Sequence, residues 1–544
     1  RFTAEIAGLQ ELGATGRGED MEIGTFIERS VDHELSGNVI DLCPVGALNS
    51  KPFRHRARSW EMTEHALVSP HDGTGTNLWG HVLRGRLMRV VPRTNEEINE
   101  TWIADRDRVS YEGVYAADRL RVPMMRVEGR WQEVGWERAL EAAAELLRDA
   151  VRDGGAGRVG FLAAPGSTNE EAFLLGRIAR GLGSHNVDSR LRQRDFSDQA
   201  NDPAYPGLGI TLRDVDSLSG LLLAGCHVRD EAPILAHRVR KAALAGCKVS
   251  LVATASQQCH FPVLHQSVVD GAALAGEIAA LADASRHSVV ESLSGGRAAI
   301  VLGGIAMRHS HFADIRSAAA TLAAKTGATL GFLADGGNAA GTSLAGALPH
   351  RLPGGRPNPS PGLDVGRMLE SPLAGCLLVG GIEPAQDIGT PGAQESLAAC
   401  PRLVAVTPYA DPAVLAIAQV VLPMGSFAET SGSYVNVEGR WQEFRGCAQP
   451  VGESRPGWKI LRVLGNHLGL DGFDYGNSSD VLSELRALAG KSGYDGRMPA
   501  ARAGTSERRG ATTPLPIYGA DALVRRAPSL QKTRAARVGT VGGG

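Results

Sequence analysis

The residues with the clearest potential for chemistry are Cys43 and Pro44, in the glycine-containing segment 34–48. Proline has a fixed φ and no backbone N–H, and it favours an extended backbone at the residue before it. A stiff Cys-Pro loop of this kind often presents the last thiolate ligand of a [4Fe–4S] cluster, which needs about four ligands. The next cysteine in the chain is Cys226. Cys43 therefore predicts one ligand of a metal centre whose other ligands lie elsewhere, and a buried free thiol is the alternative.

The sequence around Cys43 contains a series of short motifs: Arg1-Phe2, Ile23-Gly24-Thr25, Glu34-Leu35-Ser36-Gly37-Asn38, Asp41-Leu42-Cys43-Pro44-Val45-Gly46-Ala47-Leu48 and Ser50-Lys51-Pro52. Together they resemble the G subunit of bacterial NADH-quinone oxidoreductase, the large iron–sulfur subunit of respiratory complex I. The resemblance implies that Cys43 is the fourth ligand of a [4Fe–4S] cluster. It also implies a Cys-x-x-Cys-x-x-Cys run just upstream of Arg1. We expect the other three ligands there, with further [2Fe–2S] and [4Fe–4S] clusters in the preceding region.

The same resemblance implies a role in an enzyme, NADH:quinone oxidoreductase, which carries electrons from NADH and flavin through iron–sulfur clusters toward quinone. It implies other peripheral-arm subunits as partners, including the subunit that binds flavin and NADH. The implied location is peripheral, at the cytoplasmic face of the bacterial inner membrane. We expect no catalytic residue in this chain, because the role needs no acid, base or nucleophile. The 544-residue chain on its own is expected to be inactive.

A remnant of the iron–sulfur domain over residues 1–58 is followed by a predicted small β-rich domain over residues 59–115. Two β-rich runs around a glycine turn predict a hairpin within residues 82–92. The motif order resembles the small [4Fe–4S] domain that precedes the molybdopterin-enzyme fold, in which four cysteines bind a cluster. The matching positions here are Ser69, Asp72, Thr76 and Ala104. Since none of them is a soft ligand, we predict that the domain keeps its shape and binds no cluster.

Three histidines lie in this small domain, and they leave one alternative open. They are His65, His71 and His81. Their residue type allows a histidine-based metal site, but lone histidines in loops are usually only solvated. We therefore favour no metal at these positions.

From about residue 137 the sequence alternates helical and strand-like segments. Helical periodicity covers residues 137–152. Continuous apolar runs predict buried strands at 159–163, 220–224, 249–253, 299–303, 330–333, 377–381, 403–406 and 420–422. This alternation predicts an α/β fold with a doubly wound parallel sheet that helices cover on both faces.

Residues 116–470 resemble the large α/β domain of molybdopterin oxidoreductases. The resemblance rests on motifs such as Phe427-Ala428-Glu429, Gly432-Ser433-Tyr434 and Pro456-Gly457-Trp458. No segment matches the metal-ligand motif of the active enzymes, and the complex I subunit carries this domain as a scaffold without molybdenum. No molybdenum is therefore expected. The glycine pairs at 303–304 and 380–381 could cradle phosphates where strands lead into helix N-termini. We favour simple strand-to-helix turns, since no G-x-G-x-x-G or Walker lysine is present.

Several local motifs make sharper structural predictions. Residues 167–171 predict a helix start with two overlapping capping boxes. The sequence Val-Glu-Gly-Arg-Trp-Gln-Glu occurs at 127–133 and 437–443, and both copies predict hairpins that turn at Glu-Gly. The polar C-terminal region 471–544 is predicted to be irregular, with loops at 477–479 and 501–513.

Composition excludes several classes of protein. The formal net charge of −2 gives no sign of a nucleic-acid partner. The seven cysteines never form a Cys-x-x-Cys pair, which argues against a disulfide framework and against a self-sufficient metal site. No uninterrupted apolar run reaches the roughly 18 residues of a membrane span. Two alternative functions remain: a molybdenum- or tungsten-dependent oxidoreductase of the formate dehydrogenase type, and a scaffold subunit without metal.

Overall fold

Two parallel β-sheets form the centre of the protein in the computed structural model, which describes residues 1–25, 31–490 and 515–541. The strands are β1 (Leu12–Thr15), β2 (Glu22–Thr25), β3 (Thr63–Val68), β4 (Asn77–Leu83), β5 (Arg86–Pro92), β6 (Met124–Val127), β7 (Arg130–Glu133), β8 (Val159–Ala163), β9 (Val187–Asp188), β10 (Gly220–Ala224), β11 (Lys248–Ala253), β12 (His265–Val268), β13 (Ala298–Leu302), β14 (Thr329–Phe332), β15 (Arg351–Leu352), β16 (Arg356–Pro357), β17 (Gly375–Val379), β18 (Leu403–Thr407), β19 (Val420–Pro423), β20 (Gly432–Val435) and β21 (Trp441–Phe444).

The α-helices are α1 (Asn38–Leu42), α2 (Asp105–Val109), α3 (Trp136–Gly154), α4 (Asn169–Gly181), α5 (Leu212–Val215), α6 (Val228–Glu231), α7 (Pro233–Leu244), α8 (Leu274–Asp283), α9 (Ser288–Ser294), α10 (Gly304–Met307), α11 (Phe312–Thr326), α12 (Ala339–Leu344), α13 (Val365–Glu370), α14 (Pro384–Asp387), α15 (Ala393–Ala398), α16 (Pro412–Ile417), α17 (Gly457–His467), α18 (Ser478–Ala489), α19 (Ala522–Arg525), α20 (Pro528–Gln531) and α21 (Arg534–Val541). None of the helices in the described ranges combines the length and apolar composition needed to cross a bilayer.

The larger sheet has seven strands in the order β7-β6-β19-β18-β17-β8-β9. Strands β19 to β9 in this order are parallel, and β6 pairs with β19 in the antiparallel direction. Alternate side chains of one strand point to opposite faces. Leu377 of β17 packs into the core under α3, α4 and α17, whereas Leu378 packs into the core under α13 and α15. Both faces are therefore buried, which explains the uninterrupted apolar runs of these strands.

The smaller sheet repeats this arrangement with five parallel strands in the order β12-β11-β10-β13-β14. Leu221 of β10 faces α5 and α7, and Leu222 faces α8, α9 and α11. The α/β class with doubly wound parallel sheets, predicted from the alternation of helices and strands, is confirmed.

The N-terminal region and the small domain are built on antiparallel hairpins. Strands β1 and β2 pair with each other, and β3-β4-β5 form a separate three-stranded sheet. The hairpin predicted within residues 82–92 is present and turns at Arg84 and Gly85. Both turn residues have positive φ, +50° and +77°, as a two-residue hairpin turn with the native twist requires.

Of two local predictions, the pair of capping boxes needs correction and the pair of hairpins does not. Helix α4 begins with one capping box, in which Thr168 and Glu171 bond each other's backbone N–H groups. The second box, on Ser167, does not form, because the helix starts one residue later and the Ser167 hydroxyl has no partner. The first copy of the repeated heptapeptide turns at Glu128-Gly129 as predicted. The second copy also forms a hairpin, between β20 and β21, and its loop 436–440 contains Glu438-Gly439 as predicted.

The C-terminal region is more regular than predicted. Asn477 caps α18 by accepting the backbone N–H of Asp480 at 3.1 Å, so the predicted loop at 477–479 is wrong. A polar residue directly before a run of apolar residues at helical spacing predicts a helix start. This signal was missed because the region as a whole is polar. The predicted loop at 501–513 lies outside the described residues. Residues 517–536 form a small core of their own around Val524 and pack on the small domain.

A buried ion pair between Arg119 and Glu429 lies in the α/β domain, directly next to the end of the small domain. The guanidinium contacts both carboxylate oxygens, at 2.9 Å and 3.2 Å, and neither side chain has any exposed area. Arg119 also donates to the carbonyl oxygens of Val114, Pro408 and Met424. The Glu429 carboxylate accepts from Ser426 and from the backbone N–H of Val451. Every charged atom of the pair is thus hydrogen-bonded, which is the condition for a stable buried pair.

We predict that Glu429→Ala lowers the free energy of unfolding by about 3–5 kcal/mol, because it leaves the Arg119 charge buried without a partner. Urea denaturation followed by circular dichroism measures the change. The control is Asp149→Ala, which breaks a surface pair with Arg152 (39 % and 68 % exposed) and should cost less than about 1 kcal/mol. Equal effects of the two changes would contradict the prediction.

Candidate functional site

Cys43 lies directly after α1, at the start of a tight loop. Its backbone is extended, with φ −81° and ψ 104°, as the following proline predicts. The Cys43 Sγ is partly exposed and accepts a hydrogen bond from the backbone N–H of Leu48 at 3.4 Å. Backbone N–H groups of the loop, chiefly that of Leu48, stabilise the thiolate and lower the pKa of Cys43 below its usual value. Gly46 has φ +66°, which lets the backbone of the loop turn its N–H groups toward the sulfur.

The other six cysteines have the opposite character. Burial raises the pKa of each of their thiols, and that of Cys247 and Cys447 reaches about 11. The remaining four are Cys226, Cys259, Cys376 and Cys400. Buried neutral thiols act as small apolar residues. Cys43 is therefore the one cysteine of the seven whose pKa is lowered.

Helix α1 holds Cys43 against the small domain. Asn38 exchanges two hydrogen bonds with the backbone of Ile103, at 2.8 Å and 3.2 Å. Asp41 forms an ion pair with Arg108. Asp105 accepts the backbone N–H of Gly37 at 2.6 Å, and burial raises the pKa of its carboxyl to about 6. The segment that carries the candidate ligand is thus fixed by residues 103–108.

The Cys43 loop fits one ligand position of an iron–sulfur cluster. A partly exposed sulfur with backbone N–H donors is the environment that stabilises a cluster thiolate. Within the described ranges, no group of three or more Cys, His, Asp or Glu side chains could hold a metal ion. The described residues therefore supply a single ligand of the proposed set.

The four positions that match the ligands of the small domain come together, but they do not fit a cluster. Ser69, Asp72, Thr76 and Ala104 are all buried. The Ser69 hydroxyl donates to Asp107 at 2.5 Å, and Asp72 pairs with the buried Arg106 at 2.6 Å. The Asp107 carboxylate also accepts the backbone N–H of Ala104 at 3.3 Å. Hydrogen-bonded charges and hydroxyls occupy this space, and it contains no thiolate.

The three histidines of the small domain also bond to protein groups. His65 contacts Thr63 at 2.9 Å, and His81 contacts Arg89 at 3.0 Å. His71 lies between the Asp521 carboxylate and the Ser110 hydroxyl, with 2.7 Å on each side. The sequence did not predict this Ser-His-Asp chain, because its members are far apart along the chain. Ser110 is only 1 % exposed, so the chain serves to join the C-terminal segment to the small domain.

A cavity of about 940 Å³ lies at the carboxyl ends of β8, β17 and β18. This is the edge at which open α/β sheets bind ligands. Its walls include Ser167 and Thr168, the Gly380-Gly381 turn, and residues 520–523 of the C-terminal segment. Among the described residues that line the cavity, the side chains with oxygen or nitrogen donors include His71, Ser426 and Asp521. Next to the cavity, the buried Glu170 accepts two hydrogen bonds from Ser433 at 2.8 Å and 2.9 Å.

Comparisons with known proteins agree with this architecture. Residues 119–467 match the molybdopterin oxidoreductase family, residues 1–49 match the ferredoxin-like domain of NADH-quinone oxidoreductase subunit 3, and residues 66–112 match a 4Fe-4S domain described as NADH-ubiquinone oxidoreductase NDSU1/NuoG-like. The first match covers more than half of the chain. The chain therefore belongs to the molybdopterin oxidoreductase family.

Within this family, the chain is similar to the G subunit of NADH-quinone oxidoreductase. It is 29 % identical to that protein from Rickettsia felis over 90 % of this chain and 68 % of the relative. It is 30 % identical to the mitochondrial NADH-ubiquinone oxidoreductase 78 kDa subunit of Candida albicans, over 86 % of this chain and 61 % of the relative. The resemblance predicted from the motifs around Cys43 is confirmed.

One solved structure supports the fold alone. Acetylene hydratase from Pelobacter acetylenicus superimposes with a TM-score of 0.54 at 13 % identity, over 78 % of this chain and 72 % of that protein. At this identity the likeness extends to the arrangement of the sheets and helices and not to the chemistry of the site.

We predict that iodoacetamide alkylates Cys43 before the other six cysteines of the folded chain, because the thiolate is the reactive form and only its pKa is lowered. Graded labelling followed by peptide mass spectrometry measures the order. Gly46→Val should slow the labelling, since a β-branched residue does not tolerate φ +66°. The matched control Gly46→Asn, which does tolerate it, should preserve the rate. Earlier labelling of Cys259 or Cys447 would contradict the prediction.

We predict that Glu170 makes the protein less stable as the pH rises from about 4.5 to 7. Burial raises the pKa of this carboxyl from 4.5 to about 7, so the folded state holds the proton more tightly than the unfolded state. The resulting penalty is absent below pH 4.5 and complete above pH 7, where the difference in pKa corresponds to roughly 3 kcal/mol.

Glu170→Gln should remove this pH dependence, because the amide stays neutral and can still accept the Ser433 N–H. Urea denaturation at pH 5 and pH 8 compares the two proteins. The variant should gain stability relative to the wild type at the higher pH. A stability difference that is the same at both values would show that Glu170 is ionised throughout.

Proposed function

We propose that this chain is an electron-transfer subunit of an NADH-quinone oxidoreductase, in which Cys43 is the fourth ligand of a [4Fe–4S] cluster. The observation that carries the proposal is the Cys43 loop, a partly exposed sulfur that accepts a backbone N–H and has a lowered pKa. Its location within the ferredoxin-like match supports the same role. When bound, the cluster supplies one-electron transfer.

The contribution of this chain is to hold and tune that ligand. Pro44 and the left-handed Gly46 set the direction of the loop, and the N–H of Leu48 reduces the negative charge on sulfur. Hydrogen bonds to cluster sulfur raise the reduction potential of a cluster. The other three ligands are proposed to come from a segment upstream of Arg1, together with further [2Fe–2S] and [4Fe–4S] clusters.

The remaining domains are proposed to serve as a scaffold. The small domain, residues 59–115, would bind no cluster, because Arg106 and Asp107 occupy the positions around Ser69 and Asp72. The α/β domain, residues 116–470, would bind no molybdenum, since no segment matches the metal-ligand motif of the active enzymes and the chain is similar to the G subunit of NADH-quinone oxidoreductase. Residues 1–58 and 471–544 complete the proposed division into domains.

The proposed partners are the other peripheral-arm subunits of complex I, including the subunit that binds flavin and NADH. The proposed location is peripheral, at the cytoplasmic face of the inner membrane. These assignments rest on the similarity to the G subunit of the Rickettsia enzyme.

We predict that Cys43→Ala, introduced into the complete oxidoreductase, removes one [4Fe–4S] signal from the low-temperature EPR spectrum after reduction by NADH. The matched control is Cys447→Ala, which changes another partly exposed cysteine whose pKa is raised by burial. Its spectrum should equal that of the wild type. Retention of every signal in Cys43→Ala would refute the ligand assignment.

Metal analysis of the same preparations tests the scaffold role. Iron without molybdenum is the expected result. Stoichiometric molybdenum would support instead an oxidoreductase of the formate dehydrogenase type.

A further inference from the structure

A groove with unpaired arginines runs along the small domain, away from Cys43 and from the cavity at the sheet ends. It consists of two adjoining recesses of about 750 Å³ and 730 Å³ that share Arg86, Tyr115 and Ala116. Four exposed arginines line it: Arg56, Arg84, Arg86 and Arg121. We call these residues with Tyr115 the basic groove.

Within the part of the chain that the structure describes, no acidic side chain neutralises the four arginines of the basic groove. No ion pair or side-chain hydrogen bond joins any of the four arginines to a residue in the described ranges, and Arg86 only stacks on the Tyr115 ring at 3.7 Å. One carboxylate lines the groove, that of Glu112, and both of its oxygens accept hydrogen bonds from Ser529 at 2.9 Å. A fifth lining arginine, Arg526, is paired with Asp118 and Glu383. Four positive charges therefore remain available in a protein whose net charge is −2.

Arg84 occupies its position at a conformational cost. Its φ is +50°, and the next residue of the hairpin turn, Gly85, has φ +77°. Asparagine, aspartate or glycine is favoured at the first position of such a turn, because other residues are strained there. Arg84 adopts an unfavourable backbone conformation, and its side chain makes no hydrogen bond or ion pair within the described residues. Such a combination suggests that the side chain is kept for a function.

The shape and lining of the groove favour one class of ligand. It is recessed, with Pro52, Met88 and Tyr111 among its walls, so it suits a chain with alternating acidic and apolar side chains better than a flat lipid surface. The face of Tyr115 is already covered by Arg86, which leaves no open ring for stacking by nucleic-acid bases. Planar guanidinium groups bind carboxylates in pairs of parallel hydrogen bonds.

We propose that the basic groove binds an extended acidic segment of a partner protein. Carboxylates of this segment would pair with Arg86, which both recesses share, with Arg56 in one recess, and with Arg84 and Arg121 in the other. The proposal is independent of the cluster, because no contact of the groove involves Cys43.

Binding of a fluorescein-labelled peptide made of glutamate pairs separated by leucines, measured by fluorescence anisotropy with the full chain, tests the proposal. We expect saturable binding that weakens steeply with salt, and no binding of the same peptide with glutamine in place of glutamate. Arg84→Glu combined with Arg86→Glu should weaken binding by about tenfold or more. The control pair Arg213→Glu and Arg367→Glu makes the same change of charge at exposed positions outside the groove and should bind like the wild type.

Arg84→Gly separates binding from folding. Glycine suits φ +50°, so this variant should have an equal or higher melting temperature, and it should still bind the peptide more weakly. Three outcomes would overturn the proposal: equal binding by the groove and control variants, unchanged binding by Arg84→Gly, or stronger binding to phosphatidylserine vesicles or single-stranded oligonucleotides than to the peptide.

Discussion

The buried pair of Arg119 and Glu429 is the interaction that anchors the start of the α/β domain, where the chain leaves the small domain. Arg119 donates hydrogen bonds to carbonyl oxygens at the end of the small domain and directly after strands β18 and β19. Glu429 accepts a hydrogen bond from the backbone in the segment that follows β21. Met424 lies in the wall of the cavity, and Val451 lies in the wall of the basic groove. One ion pair is therefore hydrogen-bonded to the backbone in the walls of two separate recesses. Because a buried charge without its partner is strongly unfavourable, this junction tolerates little independent motion of its two sides.

Much of the α/β architecture could be predicted from the sequence, because buried parallel strands are unbroken apolar runs and the helices between them have strong periodicity. The strand at 159–163 and the helix at 137–152 were located to within a few residues. The C-terminal region was harder. Helix α18 has a polar exterior, and residues 517–536 gain their order from contacts with the small domain that no local pattern reveals. Domain boundaries at 58, 115 and 470 remain predictions.

The candidate site, too, could be predicted from the sequence only in part. Cys43 could be identified because proline, glycine and the flanking motifs lie next to it in the chain. The N–H groups that lower its pKa could not be identified, since their direction depends on the φ of Gly46. The basic groove joins residues from five separate segments, and the Ser110–His71–Asp521 chain joins residues that are more than 400 positions apart. Only the folded chain brings such groups together.

The attachment of α1 to residues 103–108 has a consequence for genetics. Asn38 and Asp41, which lie in the helix that ends just before Cys43, are held by Ile103 and Arg108. These holding residues belong to a domain in which the ligand cysteines have been replaced, so an observer who scores conservation of metal ligands would regard the domain as dispensable. Inherited substitutions there would nevertheless shift the sulfur of Cys43. Under the proposal that Cys43 binds a cluster, their phenotype would be that of a defective redox centre in a protein whose ligands are all intact.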